Sequence, residues 1–219
     1  MNVAYEFPEK AAYGKIMPKT KIYSYASPTN RVKELFVREV ETITWAYKLS
    51  PKTINLPADG YVHEIQVMTI DLKGERLDHD VLATIDKAIP SPIFFILRYK
   101  NKLRSSGAFK RPSEADKTKR VISGYFETPW MKGDSEKQSL PIALNLKGLY
   151  HLLVKSLIPL TSGKQESIEE LVERAERIQS LNKEAQKLET HMNSEKQFNR
   201  RVELHAQLGN IRKEITALS

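Results

Sequence analysis

Residues 62–99, VHEIQVMTIDLKGERLDHDVLATIDKAIPSPIFFILRY, read as strand, helix, strand, and that reading decides the fold. Val62, Ile65, Val67, Met68, Ile70 and Leu72 form a mostly apolar run that ends at Lys73-Gly74. Pro92-Ile93-Phe94-Phe95-Ile96-Leu97 is a second run with no wet face, so both runs are interior strands. Between them Asp78 can cap a helix in which Val81, Leu82, Ile85, Ala88 and Ile89 share one face, and Pro90 and Pro92 stop it. Two strands joined by a crossover helix normally close as a right-handed parallel pair.

Working outward, Asn101-Lys102 can turn the chain into a strand over residues 103–110, and the polar loop RPSEADKTK leads to another over 121–126. Three consecutive antiparallel strands result. Pro129 ends the last, and Leu144, Leu146, Leu149, Leu152, Leu153 and Leu157 mark an amphipathic helix. Upstream, Val32, Leu35, Phe36, Val40 and Ile43 fall at helical spacing, so a helix capped by Thr29 or Asn30 is expected to run until Ser50-Pro51 breaks it. A short strand over 53–56 would follow, before Asp59-Gly60 turns the chain. The first thirty residues carry the helix breakers Pro8, Gly14, Pro18 and Pro28, with one short extended piece expected at Ile16, Tyr23 and Tyr25. The expected architecture is an α/β domain over residues 1–163, built on a mixed sheet of about five strands with flanking helices.

Residues 164–219 differ in composition. From Gln165 onward there is no proline and one glycine among many Glu, Lys, Arg, Gln and Leu, which predicts helix. Leu171, Ile178, Ala185 and Met192 repeat every seven residues, and Leu181 and Leu188 supply the complementary spacing of a coiled-coil seam. Past Met192 the register moves to Leu204, Leu208, Ile211, Ile215 and Leu218. The shift fits either one long coiled-coil helix with an irregularity or a hairpin broken at the capping-box pattern Ser194-Glu195-Lys196-Gln197. Lack of Gly or Pro at that point favours the continuous helix, which would reach about 75 Å and want a second copy as partner. The expected homodimer joins along residues 168–218.

Composition excludes several classes of chemistry. With no cysteine in 219 residues, disulfides, thiolate metal sites and cysteine nucleophiles are out, and a reducing, cytoplasmic setting is expected. The opening residues lack a signal-peptide pattern, and no segment approaches the ~20 apolar residues of a membrane span. The five histidines have no metal-ligand spacing. Gly163-Lys164 lacks the strand and spacing of a phosphate loop, and no serine sits in a nucleophile elbow. No metal or cofactor is expected.

Two features remain. Net charge is +8, and residues 98–120 hold nine basic side chains against two acidic ones: Arg98, Lys100, Lys102, Arg104, Lys110, Arg111, Lys117, Lys119 and Arg120. Such a cluster is either a solvated hairpin and loop or a patch for nucleic-acid phosphates or an acidic protein surface. Separately, alternation puts Glu64 and Gln66 on one face of the first long strand, a few residues after Asp59. Two carboxylates with a nearby amide or amine can hold Mg²⁺ against a scissile phosphate, as in restriction-type nucleases. Against that, Gln stands where Lys is usual, Asp59 is close in sequence, and a wet strand face can carry Glu and Gln without any catalytic role.

The blocks Ile43-Thr44-Trp45-Ala46-Tyr47-Lys48-Leu49, Glu64-Ile65-Gln66-Val67, Ile85-Asp86-Lys87-Ala88-Ile89-Pro90, Tyr125-Phe126-Glu127-Thr128 and Lys196-Gln197-Phe198-Asn199-Arg200-Arg201-Val202-Glu203-Leu204 resemble a bacterial family of unknown function, domain of unknown function number forty-three ninety-one. The resemblance spans nearly the whole chain and brings no catalytic residues with it. It implies an accessory subunit beside helicases or DNA methyltransferases of restriction or phage-defence systems. The expected function is therefore a non-catalytic adaptor, oligomerising through its tail and docking DNA or a DNA-processing enzyme. A divergent Mg²⁺ nuclease and a purely structural interaction module are the alternatives.

Overall fold

The computed structural model describes residues 4–116, 119–163 and 165–219. In chain order the elements are strand β1 (Tyr5–Glu6), a 3-10 turn (Glu9–Ala11), β2 (Ala12–Ile16), helices α1 (Lys19–Ala26) and α2 (Asn30–Glu39), β3 (Val40–Leu49), α3 (Pro51–Ile54) and β4 (Ile65–Leu72). Then come α4 (His79–Ala88), β5 (Ile93–Tyr99), β6 (Lys102–Pro112), β7 (Arg120–Glu127), β8 (Met131–Lys132), β9 (Gln138–Ser139), α5 (Leu146–Leu157), α6 (Ile168–Ser194) and α7 (Phe198–Leu218). The chain divides into two compact units, Met1–Pro159 and Leu160–Ser219.

The first unit is an α/β body on a seven-stranded mixed sheet of order β2-β3-β4-β5-β6-β7, with β8 also paired to β6. The 62–99 stretch forms the parallel pair β4–β5 joined by α4, with the Asp78 carboxylate accepting from Asp80 N at 2.9 Å as the cap. β5, β6 and β7 follow antiparallel. On one face Ile22, Leu35, Phe36, Leu82 and Ile85 from α1, α2 and α4 pack on Ile43, Met68, Ile70, Phe95 and Leu97. On the other face α5 lies over β6, where a Cβ on Gly107 would come within 3.0 Å of Leu157 Cδ1.

Three expectations are corrected. The sheet has seven strands where about five were expected, because β2 and β8 join it, and the helix predicted to run from Thr29 to Leu49 stops at Glu39, with Val40–Leu49 a ten-residue strand. Val40, Thr42, Ile43, Thr44, Trp45 and Tyr47 are β-branched or aromatic, and pairing with β4 across its whole length outweighs the helical spacing of Val40 and Ile43. The strand expected over 53–56 is instead the short helix α3, closed by a capping box between Ser50 and Thr53.

The second unit holds two long helices in place of the single continuous one. α6 ends at Ser194 and α7 begins at Phe198, so the break falls on the capping-box pattern, although Gln197 caps α7 without a side-chain hydrogen bond. The Glu195 carboxylate instead accepts from Gln197 N at 2.9 Å. Arg174 donates to the Leu218 carbonyl at 2.7 Å, Arg177 pairs with Glu214 at 2.7 Å and Arg212 with Glu189 at 2.5 Å, which makes the helices an antiparallel hairpin.

Candidate functional site

Glu64 lies just before β4, and Gln66 within it is fully buried. The Trp45 indole donates to Gln66 Oε1 at 2.8 Å, which orients the amide so that its Nε2 donates to Glu64 Oε1 at 2.7 Å. The Ser91 hydroxyl donates to the same oxygen at 3.2 Å, and Lys48 Nζ stands 2.5 Å from Glu64 Oε2. Lys48 reaches this place because it is the register partner of Gln66 in the β3–β4 ladder. The carboxylate therefore has three donor contacts, which fix β3, β4 and the loop after α4 to one another. Asp59 is occupied elsewhere: its Oδ2 accepts from Asn145 Nδ2 at 3.1 Å, and its backbone forms a bridge with Val62. Among the described residues no group of three or more His, Asp or Glu side chains could hold a metal ion. Lys48 was invisible to sequence reasoning because residues 45–49 read as helix.

The basic segment is largely neutralised in space. Arg98 makes a bidentate contact with Asp71 (2.7 and 3.0 Å), Lys102 pairs with Glu75 at 2.6 Å, and Arg104 pairs with Glu127 at 2.7 Å while lying over the Trp130 ring. Arg111 meets Glu114 at 3.2 Å and Lys119 meets Asp116 at 3.5 Å. Lys100 makes no ion pair among the described residues and lies over the Tyr99 ring. Arg120 is exposed at the start of β7, and Lys117 lies outside the described residues.

Lys110 is not a surface cation, which corrects its place in the predicted basic patch. Its side chain is only 2% exposed and its Nζ stands 2.8 Å from Asp86 Oδ1. It also donates to the carbonyls of Asp86, Ile89 and Ser91 at 2.9, 2.8 and 3.1 Å, capping the C-terminal end of α4. The Tyr125 hydroxyl donates to Asp86 Oδ2 at 2.5 Å, while Tyr150 accepts from Lys110 N at 2.6 Å and donates to the Ala108 carbonyl at 2.9 Å. Burial pushes the Asp86 carboxyl up and the Lys110 amine down, each opposed by its partner's charge, and raises both tyrosines well above the ordinary range.

In the hairpin, Leu171, Leu181 and Ala185 are buried, whereas Ile178, Leu188 and Met192 are only partly so. The facing seam repeats this: Leu204 and Leu208 are buried, and Ile211, Ile215 and Leu218 remain partly exposed. Phe198 (75% exposed) and Val202 (53%) are uncovered near the turn.

The fold and these sites define an α/β protein with a parallel strand–helix–strand centre, a carboxylate held by its own neighbours, and a C-terminal helical hairpin. The chain belongs to the family described as Domain of unknown function (DUF4391), whose pattern matches residues 6–215. No curated protein and no solved structure matches it. Among the described residues, no helix is long and apolar enough to cross a membrane.

Proposed function

We propose that this chain is a non-catalytic accessory protein that self-associates through its C-terminal hairpin and docks a DNA-processing enzyme. The unfinished packing of the hairpin carries this reading. Two helices alone leave the outer edge of both seams partly exposed, at Ile178, Leu188, Met192, Ile211 and Ile215, and covering what remains would contribute a fraction of the about 1.5 to 3 kcal/mol of fully burying a large side chain. A second hairpin laid across that edge completes a four-helix bundle, the common way for such seams to be covered. A helicase or methyltransferase of a restriction or phage-defence system is the partner to which the family resemblance points. The geometry gives less support to a divergent Mg²⁺ nuclease, since the Glu64 carboxylate is already engaged by Lys48, Gln66 and Ser91 and Asp59 by Asn145.

Light scattering on the full chain at about 50 micromolar should give a dimer mass. Leu188→Lys together with Met192→Lys should give a monomer with helix content retained, because both positions are already partly exposed in the isolated hairpin. A monomer from the unmodified chain at that concentration overturns self-association.

A further inference from the structure

On the same face of the sheet as α5, beyond that helix, the N-terminal segment arches over β3 to β6 and borders a cleft of about 620 Å³, within the range of small-molecule sites. Its floor follows three rows of register partners, of which Tyr47, Phe94, Thr44, Thr69, Ile96, Ser105, Arg98 and Leu103 line the cleft itself. Tyr47, Val67, Phe94 and Gly107 form the first, Thr44, Thr69, Ile96 and Ser105 the second, and Thr42, Asp71, Arg98 and Leu103 the third.

The rows differ in chemistry. The first is aromatic: Phe7 from the roof stacks on Tyr47 with ring centroids 4.9 Å apart and leans on Phe94 at 6.2 Å. In the middle row the hydroxyls of Thr44 and Thr69 have no hydrogen-bond partner among the described residues, although Thr69 is only 7% exposed. A central strand face meant to be covered by helix would carry Val or Ile there, since a buried hydroxyl without a partner is costly. In the third row Arg98 spends Nε and one terminal nitrogen on Asp71 and keeps its other terminal nitrogen for a second acceptor. Lys137 lines the cleft with it. Glu9 lines the cleft too, in the turn leading to Ala12, the register partner of Tyr47.

We infer that this cleft binds a nucleoside monophosphate, with the base beside the aromatic cluster of Phe7, Tyr47 and Phe94, the ribose over Thr44 and Thr69, and the phosphate at Arg98 and Lys137. From Phe94 to Arg98 is four residues of strand, about 13 Å at ~3.3 Å per residue, close to the length of an extended mononucleotide. Each row supplies what the matching part of the ligand needs: an aromatic wall and the Glu9 carboxylate for a base with an exocyclic amine, hydroxyls that donate and accept for a sugar, and a guanidinium for the phosphate. Asp71 holds the guanidinium in place and lowers the net positive charge at that end, so the anion is met by directed hydrogen bonds more than by a strong field.

Calorimetric titration of the full chain with AMP, GMP, CMP and UMP tests the site. At least one should bind with a dissociation constant below about 1 mM. Adenosine and inorganic phosphate should each bind about tenfold or more weakly than the best monophosphate. Arg98→Met should remove most of the difference between nucleotide and nucleoside, and Thr69→Val, which fits the strand, should weaken both alike. A 5′-phosphorylated tetranucleotide that binds as well as the monomer makes a strand end the source of the ligand; one that does not makes it the free nucleotide. No binding by any of the four at about 5 mM overturns the inference, as does binding that neither substitution weakens or that inorganic phosphate matches.

Discussion

Lys110 shows how one residue can change meaning between sequence and structure. In the sequence it sits among nine cations; in the fold it closes the end of α4 and shares a buried charge with Asp86. Taking two charges out of water is expensive, and removal of one partner strands the other, so Lys110→Met should destabilise by about 3 to 5 kcal/mol. Asp86→Leu should cost a similar amount and also leaves Tyr125 without its acceptor. Because the two losses describe the same broken pair, the double substitution should fall short of their sum by about 2 kcal/mol or more in urea unfolding. Strict additivity would mean that the pair contributes no coupling. Glu64 and Gln66 were legible as one strand face, but their partners were not. Lys48, Trp45 and Ser91 arrive from other elements, and spacing within one strand carries no information about its neighbours.

At the scale of elements, the strand–helix–strand unit could be read because its apolar runs, its Asp78 cap and its prolines all agree. The 29–49 stretch misled because its apolar spacing near Val40 satisfies both periods, and only the β4 partner decides between them. The tail's two seams were readable, but not how they were covered; the break rests on three residues without Gly or Pro. The start of α6 is better marked. Ser167 donates through its backbone N and its hydroxyl to Glu170 Oε2 at 2.8 and 2.9 Å, while Glu170 N donates to Ser167 Oγ at 3.2 Å. These bonds favour the ionised carboxylate and hold it below the ordinary value of 4.5. A carboxyl depressed in the folded state lends stability above its unfolded value, and that contribution is lost as pH falls through the folded one. An NMR titration should therefore place the Glu170 midpoint below 4.5, and Ser167→Ala should move it back up. A midpoint indifferent to Ser167→Ala would show that the hydroxyl arm of the box does not form in solution, since the backbone N–H, the larger cause, remains in that variant.

For the whole molecule, charge along the chain proved a poor guide to charge in space. The excess in residues 98–120 faces carboxylates supplied mainly by other segments: Asp71, Glu75 and Asp86 come from the acidic stretch before it and Glu127 from the strand after it. Among the described residues Lys100, near one end of β6, makes no ion pair, and Lys119, near the other end, is held only by Asp116 at 3.5 Å, some 30 Å away along an eleven-residue strand at ~3.3 Å per residue. A duplex could engage either end but would have to open existing ion pairs to engage the middle. The number of phosphates neutralised sets the salt dependence of binding, with a slope of about −0.9 per phosphate on duplex DNA. Any DNA affinity of this protein should accordingly be weak, with a log–log slope no steeper than about −3 between 50 and 200 mM salt. Charge reversal at Lys100 should flatten it, whereas reversal at Arg98 or Lys102 should act chiefly through lost pairing with Asp71 or Glu75. A slope of about −6 or steeper would mean that the cross-strand pairs open on binding and that the basic segment works as one surface. In that event docking would run through DNA itself, and a protein partner would no longer be needed to explain it.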